Sequence, residues 1–232
     1  MPEHPLLNIY RRLLDFFGPQ QWWPGETPLE IMVGAVLTQN TAWGNVEKAI
    51  INLKAAELLP ASAADPAAAQ QTCLARLAAT PTPLLAAHIR PAGYYNLKAG
   101  RLHNLILHIA GQDDGLEEFL ARPTAELRRE LLTVKGIGPE TADSILLYAA
   151  GRPVFVVDAY THRIFGRHQL LPEETDYHQI QEIFSDALPA ERQLYNEYHA
   201  LIVRTGKEFC RKSNPRCGEC PLNGLLNGLP QE

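Results

Sequence analysis

At 232 residues, nearly half of them apolar, the chain can bury one large core or two modest ones, and no apolar run approaches the roughly 20 residues of a membrane span. Lys and Arg number 21 against 26 Asp and Glu, a net charge of −5. That balance excludes indiscriminate nucleic-acid binding through bulk positive charge, the main source of sequence-independent affinity. The bases are nevertheless bunched (Arg163 and Arg167, then Lys207, Arg211, Lys212 and Arg216). The acids gather elsewhere (Asp113, Asp114, Glu117, Glu118, then Glu173, Glu174, Asp176), which leaves room for a local basic face.

Taken in chain order, the pattern is helical almost throughout. Met1–Leu14 mixes Glu3, His4, Arg11 and Arg12 with apolar residues, unlike a signal peptide, so the expectation is a soluble cytoplasmic protein. Apolar residues recur at three- and four-residue steps in Leu6–Phe17, Leu29–Leu37, Val46–Leu58, Leu102–Ile109, Leu116–Leu132 and Ile180–Leu188. Pro and Gly fall between these stretches. The one run with strand character, Val154–Val157, has no evident partner, and the Ala-rich stretch from Lys54 to Thr80 reads as helix and linker. An all-α fold follows. Trp22, Trp23 and Pro24 precede Gly25 in a loop, and Trp43 follows Thr41-Ala42. Core packing is the usual fate of tryptophan, but a loop is a poor place for two core residues.

The most informative segment is Leu132–Ala142, LTVKGIGPETA. A helix runs into Val134, the chain turns through Gly136-Ile137-Gly138, and a new helix opens with Pro139 in its first turn. Two glycines permit a tight turn that Ile137 anchors in the core, and the first-turn amides of the new helix suit an anion. An ordinary helix–turn–helix connection has the same signature. Farther on, Asp158 precedes a short helical stretch, Ala159–Phe165, where capping is the default role of an aspartate. Cys73 stands alone and reads as a small core residue. Cys210, Cys217 and Cys220 crowd into eleven residues, which suggests a metal or cluster site in a reducing compartment.

Together, the hairpin, Val157-Asp158, Val36–Thr41 (VLTQNT), Gly93–Ala99 (GYYNLKA) and the three cysteines resemble the helix–hairpin–helix DNA glycosylases, the group that includes endonuclease III. The likeness runs in order from about Leu29 to Cys220. It implies two α-helical domains facing each other across a DNA-binding cleft. One spans residues 25–152 with the hairpin at 132–142; the other combines 1–24 with 153–232 and carries the cysteine loop 210–220. Asp158 would lie at their junction. The expected partner is double-stranded DNA and the expected state a monomer.

The resemblance also implies roles. Asp158 would be catalytic, stabilising an oxocarbenium-like sugar and orienting or activating water. Where the strand-nicking relatives carry a Schiff-base lysine, this chain has Glu140, so a glycosylase without a lyase step is expected. Trp22, Trp23, Pro24 and Trp43 are similar to the base-sandwiching aromatics of the 3-methyladenine DNA glycosylase III subgroup, with Trp43 in place of a phenylalanine and Glu140 beside them. A cationic N3-methylated purine is attracted to aromatic faces. Gln39 resembles the residue that fills the gap left in the base stack, with a loop hydrogen-bonding role as its alternative. The implied DNA contacts are Gly136, Gly138, Lys98, Arg163, Lys207, Arg211 and Lys212. Cys210, Cys217 and Cys220 match the first three ligands of the family's 4Fe–4S loop; the fourth falls on Leu226, which leaves a non-cysteine ligand, a labile cluster, no cluster, or a zinc site open. A lysine of the 3-methyladenine subgroup is replaced near Leu201, and carbonyls around Leu132–Ile137 are expected to hold a monovalent cation. Competing readings are a glycosylase for oxidised or mismatched pyrimidines, a non-catalytic DNA-binding module, and a redox protein unrelated to DNA.

Overall fold

The computed structural model describes residues 4–22, 25–62, 64, 67–112, 114–172, 174–226 and 229–230. It is all-α apart from a two-residue antiparallel ladder, Leu225–Leu226 with Leu229–Pro230. The chain divides into two compact units, residues 24–152 and residues 1–23 with 153–232.

The unit of residues 24–152 contains α2 (Pro28–Leu37), α3 (Trp43–Ala55), α4 (Ala67–Ala79), α5 (Thr82–His88), α6 (Tyr95–Ala110), α7 (Gly115–Ala121), α8 (Thr124–Thr133) and α9 (Pro139–Ser144), the last continued by a π-helical turn at Ile145–Ala149. Thr27 caps α2 through its hydroxyl and Pro28 opens the first turn. Every residue from Leu29 to Leu37 is buried, including Glu30, which pairs with Lys54 at 2.9 Å in an otherwise apolar helix. α2 packs against α6, α9 and the π-helical turn. The apolar run Leu116–Leu132 does not form one helix. Pro123, with no amide hydrogen to donate, ends α7 and starts α8. The Ala-rich stretch yields α4, which buries Cys73, Leu74 and Leu77.

The other unit contains α1 (Pro5–Phe17), α10 (Ala159–Arg167), α11 (Tyr177–Ala187) and α12 (Arg192–Glu208). Leu6, Ile9 and Leu13 of α1 face inward at helical spacing, and α1 packs on α11 and α12. The core is aromatic: Phe155 stacks on Phe184 at 4.2 Å between centroids, and Phe165, Tyr195 and Tyr198 close around them edge-on or tilted. The buried Tyr198 hydroxyl donates to the Leu6 carbonyl at 2.7 Å. Val154–Val157 is extended but joins no ladder. Phe155–Val157 are buried, and side chains satisfy this backbone: Gln181 donates to the Phe155 carbonyl at 2.7 Å and the Val157 amide reaches the Tyr177 hydroxyl at 3.5 Å.

Candidate active site

Asp158 is the N-cap of α10. Its Oδ1 accepts from the Thr161 amide at 2.7 Å and from the Thr161 hydroxyl at 2.9 Å, while that hydroxyl accepts from the Asp158 amide at 3.3 Å. This reciprocal box satisfies two helix-end donors and locks the carboxyl in one orientation. Oδ2 lies 3.6 Å from Nε2 of His199 on α12, and both side chains are about nine-tenths buried. Burial alone would raise the Asp158 pKa. His199 first, then the Thr161 amide and hydroxyl, outweigh it and hold the carboxyl below its ordinary range. A buried carboxylate kept ionised by fixed dipoles can answer positive charge developing beside it without reorganising.

α10 and α12 come close enough to hold this pair because of Gly206. A Cβ there would sit 2.1 Å from Cδ1 of Tyr160. Burial, followed by the Asp158 charge, raises the Tyr160 pKa against the opposing pull of Arg163.

In the other unit, the expected hairpin forms between α8 and α9. Gly136 adopts φ +98°, and a Cβ there would meet Arg101 Cγ at 2.4 Å, so conformation and space both require glycine. Ile137 is buried beneath the turn and Gly138 caps α9. Arg128 on α8 grips the fully buried Asp143 of α9 in a bidentate pair at 2.7 and 3.0 Å, clamping the two arms. Gln39 is a hydrogen-bonding hub: its Nε2 donates to the Gly136 carbonyl at 3.2 Å and the Thr141 hydroxyl at 2.9 Å, and its Oε1 accepts from Arg101 at 2.6 Å. The carbonyls of Val134, Lys135 and Gly136 accept from Ile137, Asn104 and Gln39 respectively, so a cation there would have to use their second lone pairs.

One expected DNA contact needs correction. Lys98 is 1% exposed, and its ammonium donates all three hydrogens inward, to the Leu37 carbonyl at 2.7 Å, the Thr41 hydroxyl at 2.6 Å and the Ala92 carbonyl at 2.8 Å. Burial, then the Arg101 charge, lowers its pKa to about 8. Arg163, half-exposed, also has partners within the protein. Its Nε donates to the Cys210 carbonyl at 2.7 Å, Nη1 and Nη2 reach the Ala159 and Gly206 carbonyls at 3.5 Å, and the guanidinium lies 4.9 Å from the Tyr160 ring. Lys207, Arg211 and Lys212 are exposed.

Trp22 is half-buried, with the Lys207 ammonium 6.0 Å from its ring. Trp23 and Pro24 lie outside the described residues. Trp43 is half-buried at the start of α3 and Glu140 is exposed in the first turn of α9. Trp22 belongs to the first-and-last-residues unit, Trp43 and Glu140 to the other.

Residues 33–190 match the family described as HhH-GPD superfamily base excision DNA repair protein. The chain belongs to that superfamily. It is 47% identical to a Methanocaldococcus jannaschii protein provisionally named a DNA repair glycosylase, over 94% of this chain and 93% of that one. It is 28% identical to endonuclease III of Thermotoga maritima, covering 84% and 80%. Among solved structures, it resembles the Helicobacter pylori 3-methyladenine DNA glycosylase MagIII bound to 1,N6-ethenoadenine, with a TM-score of 0.71, 33% identity and coverage of 88% and 95%. An endonuclease III–DNA complex matches in fold with a TM-score of 0.75, 19% identity and coverage of 98% and 97%. The protein is thus a DNA glycosylase of base excision repair.

In this HhH-GPD protein the C-terminal loop encloses a cavity of about 200 Å3 lined by Cys210, Cys217 and Cys220 together with Arg167 and His168. Arg167 binds the loop from the end of α10, reaching Cys210 Sγ at 3.3 Å and the Arg211 and Lys212 carbonyls at 2.8 and 3.2 Å. Arg12 of α1 holds the far end through the Pro221 and Asn223 carbonyls. Burial, then the charges of Cys210 and Cys217, push the Cys220 thiol above its ordinary range, against the Leu222 amide and Arg12. Among the described residues no three His, Cys, Asp or Glu side chains converge on a single-ion position. Three thiols spread around a cavity suit a polynuclear group better than a lone zinc ion, whose ligands must meet within bonding distance of one point. The donor set fits a 4Fe–4S cluster but is one thiolate short.

The sequence pattern did not single out His199, Gly206, His168 or the Arg128–Asp143 clamp, and it placed Arg167 only in a basic cluster. A visible signal existed for α12: Tyr195, Tyr198, Ile202 and Thr205 recur at helical steps.

Proposed function

We propose that the protein is a monofunctional DNA glycosylase that removes alkylated purines such as 3-methyladenine from double-stranded DNA by hydrolysis, acting as a monomer. The observation that carries this reading is the 33% identity, over nearly all of both chains, to a 3-methyladenine DNA glycosylase structure. Glu140 supports the absence of a lyase step, because a carboxylate cannot form the Schiff base that β-elimination requires.

The chemistry is coherent with the residues present. An N3-methylated purine is cationic and leaves readily, so the sugar's developing positive charge is the main barrier to be lowered. Asp158, held ionised, supplies the opposing charge and accepts the proton of the attacking water. Trp22 and Trp43, each half-buried, are aromatic faces of the kind that attracts a cationic base. Extruding that base costs a few kcal/mol, which stacking offsets. The first-turn amides of α9, following Gly136 and Gly138, and the exposed Lys207, Arg211 and Lys212 take backbone phosphates. Gln39 enters the vacated stack if it exchanges its present partners. The cysteine loop holds a 4Fe–4S cluster that braces the phosphate-gripping residues.

The test is incubation with methylated genomic DNA and chromatography of released bases, beside an Asp158→Asn control. Release of 3-methyladenine, lost in the variant and without strand nicking, is the expected result. Release of oxidised pyrimidines instead would overturn the substrate reading, and nicking by the wild type would overturn the monofunctional one.

A further inference from the structure

Resting on the reading of the C-terminal loop as a cluster loop, we propose that His168 supplies the fourth ligand, through Nε2, to a 4Fe–4S cluster otherwise held by Cys210, Cys217 and Cys220. Three independent features of the fold point to this residue.

The first is placement. His168 is the C-cap of α10 and lines the same cavity as the three cysteines. Its neighbour Arg167 already touches Cys210 Sγ and two loop carbonyls. The end of α10 is therefore built to face the loop.

The second is the state of the ring. His168 Nδ1 lies 2.8 Å from the Leu225 carbonyl oxygen. A carbonyl only accepts, so Nδ1 carries the hydrogen and, in the neutral ring, Nε2 keeps its lone pair. A metal-binding imidazole typically has this arrangement, with the second nitrogen donating to a backbone carbonyl that fixes tautomer and ring orientation.

The third is position along the loop. Leu225 immediately precedes residue 226, where the loop lacks its fourth cysteine. The imidazole is tethered to the backbone beside the missing thiolate. Replacing thiolate by neutral imidazole removes one negative charge from the cluster's surroundings, which raises its reduction potential.

The experiment uses the full chain, purified anaerobically and reconstituted with iron and sulfide, with [15N]histidine labelling. Wild-type protein should carry four irons and four labile sulfides per chain and show strong 15N coupling in pulsed EPR of the reduced cluster. His168→Ala should lose that coupling and fall towards three irons per chain. His168→Cys should regain the fourth iron without nitrogen coupling and at a lower midpoint potential. A wild-type cluster without histidine coupling, or an unchanged cluster in His168→Ala, would overturn the ligand assignment while leaving the cluster loop intact. A wild-type chain that takes up only zinc, or no metal, would overturn the cluster loop as well. Base release from methylated DNA by the same preparations tests the glycosylase reading separately.

Discussion

The capping seen at Asp158 and the catalysis proposed for it can be separated by substitution. Asparagine keeps an oxygen for the Thr161 amide, so Asp158→Asn should retain the cap while its single-turnover rate falls about 10²- to 10⁴-fold. Asp158→Ala should lose the same activity and, in addition, about 1 kcal/mol of stability in a denaturant titration. His199 lies beyond any local motif, and its contribution is to the charge state of that carboxyl. Because His199 helps keep the Asp158 pKa below its ordinary 3.8 against burial, His199→Gln should raise it. The acid limb of the pH–rate profile should then move upward, lowering the rate at pH 5 relative to pH 8. An unshifted limb with a uniformly lower rate would mean that His199 only packs. The same sign governs stability: a depressed folded pKa favours the native state above the ordinary value, and that contribution fades as pH falls through the folded value. The capping by Asp158 was legible in the sequence because an aspartate just before a helical stretch is a local signal. His199 was not, because only the packing of α12 on α10 brings it near. Lys98 was misread for a related reason: a lysine in a polar-looking stretch gives no sign that three acceptors will converge on it.

Among the helices, local chemistry was legible wherever a cap or a breaker punctuated the pattern. The hairpin and the start of α10 are such cases. Leu116–Leu132 shows the limit, since its periodicity continues across Pro123 although the helix cannot. What no single element's pattern displays is where two helices must touch. Gly206 marks such a contact, and Gly206→Ala should drive α12 against the ring root of Tyr160, costing about 1–3 kcal/mol by overpacking and disturbing Asp158 alongside it; chemical denaturation measures the first and base release the second. Lys98 links α6, the end of α2 and the turn at Arg90–Ala92 in the same manner. Lys98→Met should strand buried acceptors at about 1–3 kcal/mol each. With a folded pKa of about 8 against an ordinary 10.5, the unfolded wild-type chain binds the extra proton between those values, so wild-type stability gains from Lys98 deprotonation as pH rises through that window. The penalty of Lys98→Met should therefore grow from pH 8 to pH 10.5, and a constant penalty would show that the buried amine does not titrate there.

For the molecule as a whole, a net charge of −5 has to be reconciled with a polyanionic substrate. Bulk attraction is unavailable, so affinity must come from a few correctly placed donors. Among the candidate cations, Lys98 is spent on the protein's own acceptors, half-exposed Arg163 donates to the Cys210 carbonyl, Arg216 pairs with Glu219, and Lys207, Arg211 and Lys212 are exposed around the cysteine loop. Each phosphate neutralised contributes about 0.9 to the slope of log K against log salt. If these three residues each hold one phosphate, the triple alanine variant should lower the magnitude of that slope by about three while leaving the base-release rate at saturating DNA unchanged. Fluorescence anisotropy with a lesion-bearing duplex across a range of salt concentrations measures the first, and single-turnover kinetics the second. An unchanged slope would remove the cysteine loop from the DNA interface and assign the salt dependence to other exposed cations, such as Lys135 in the hairpin.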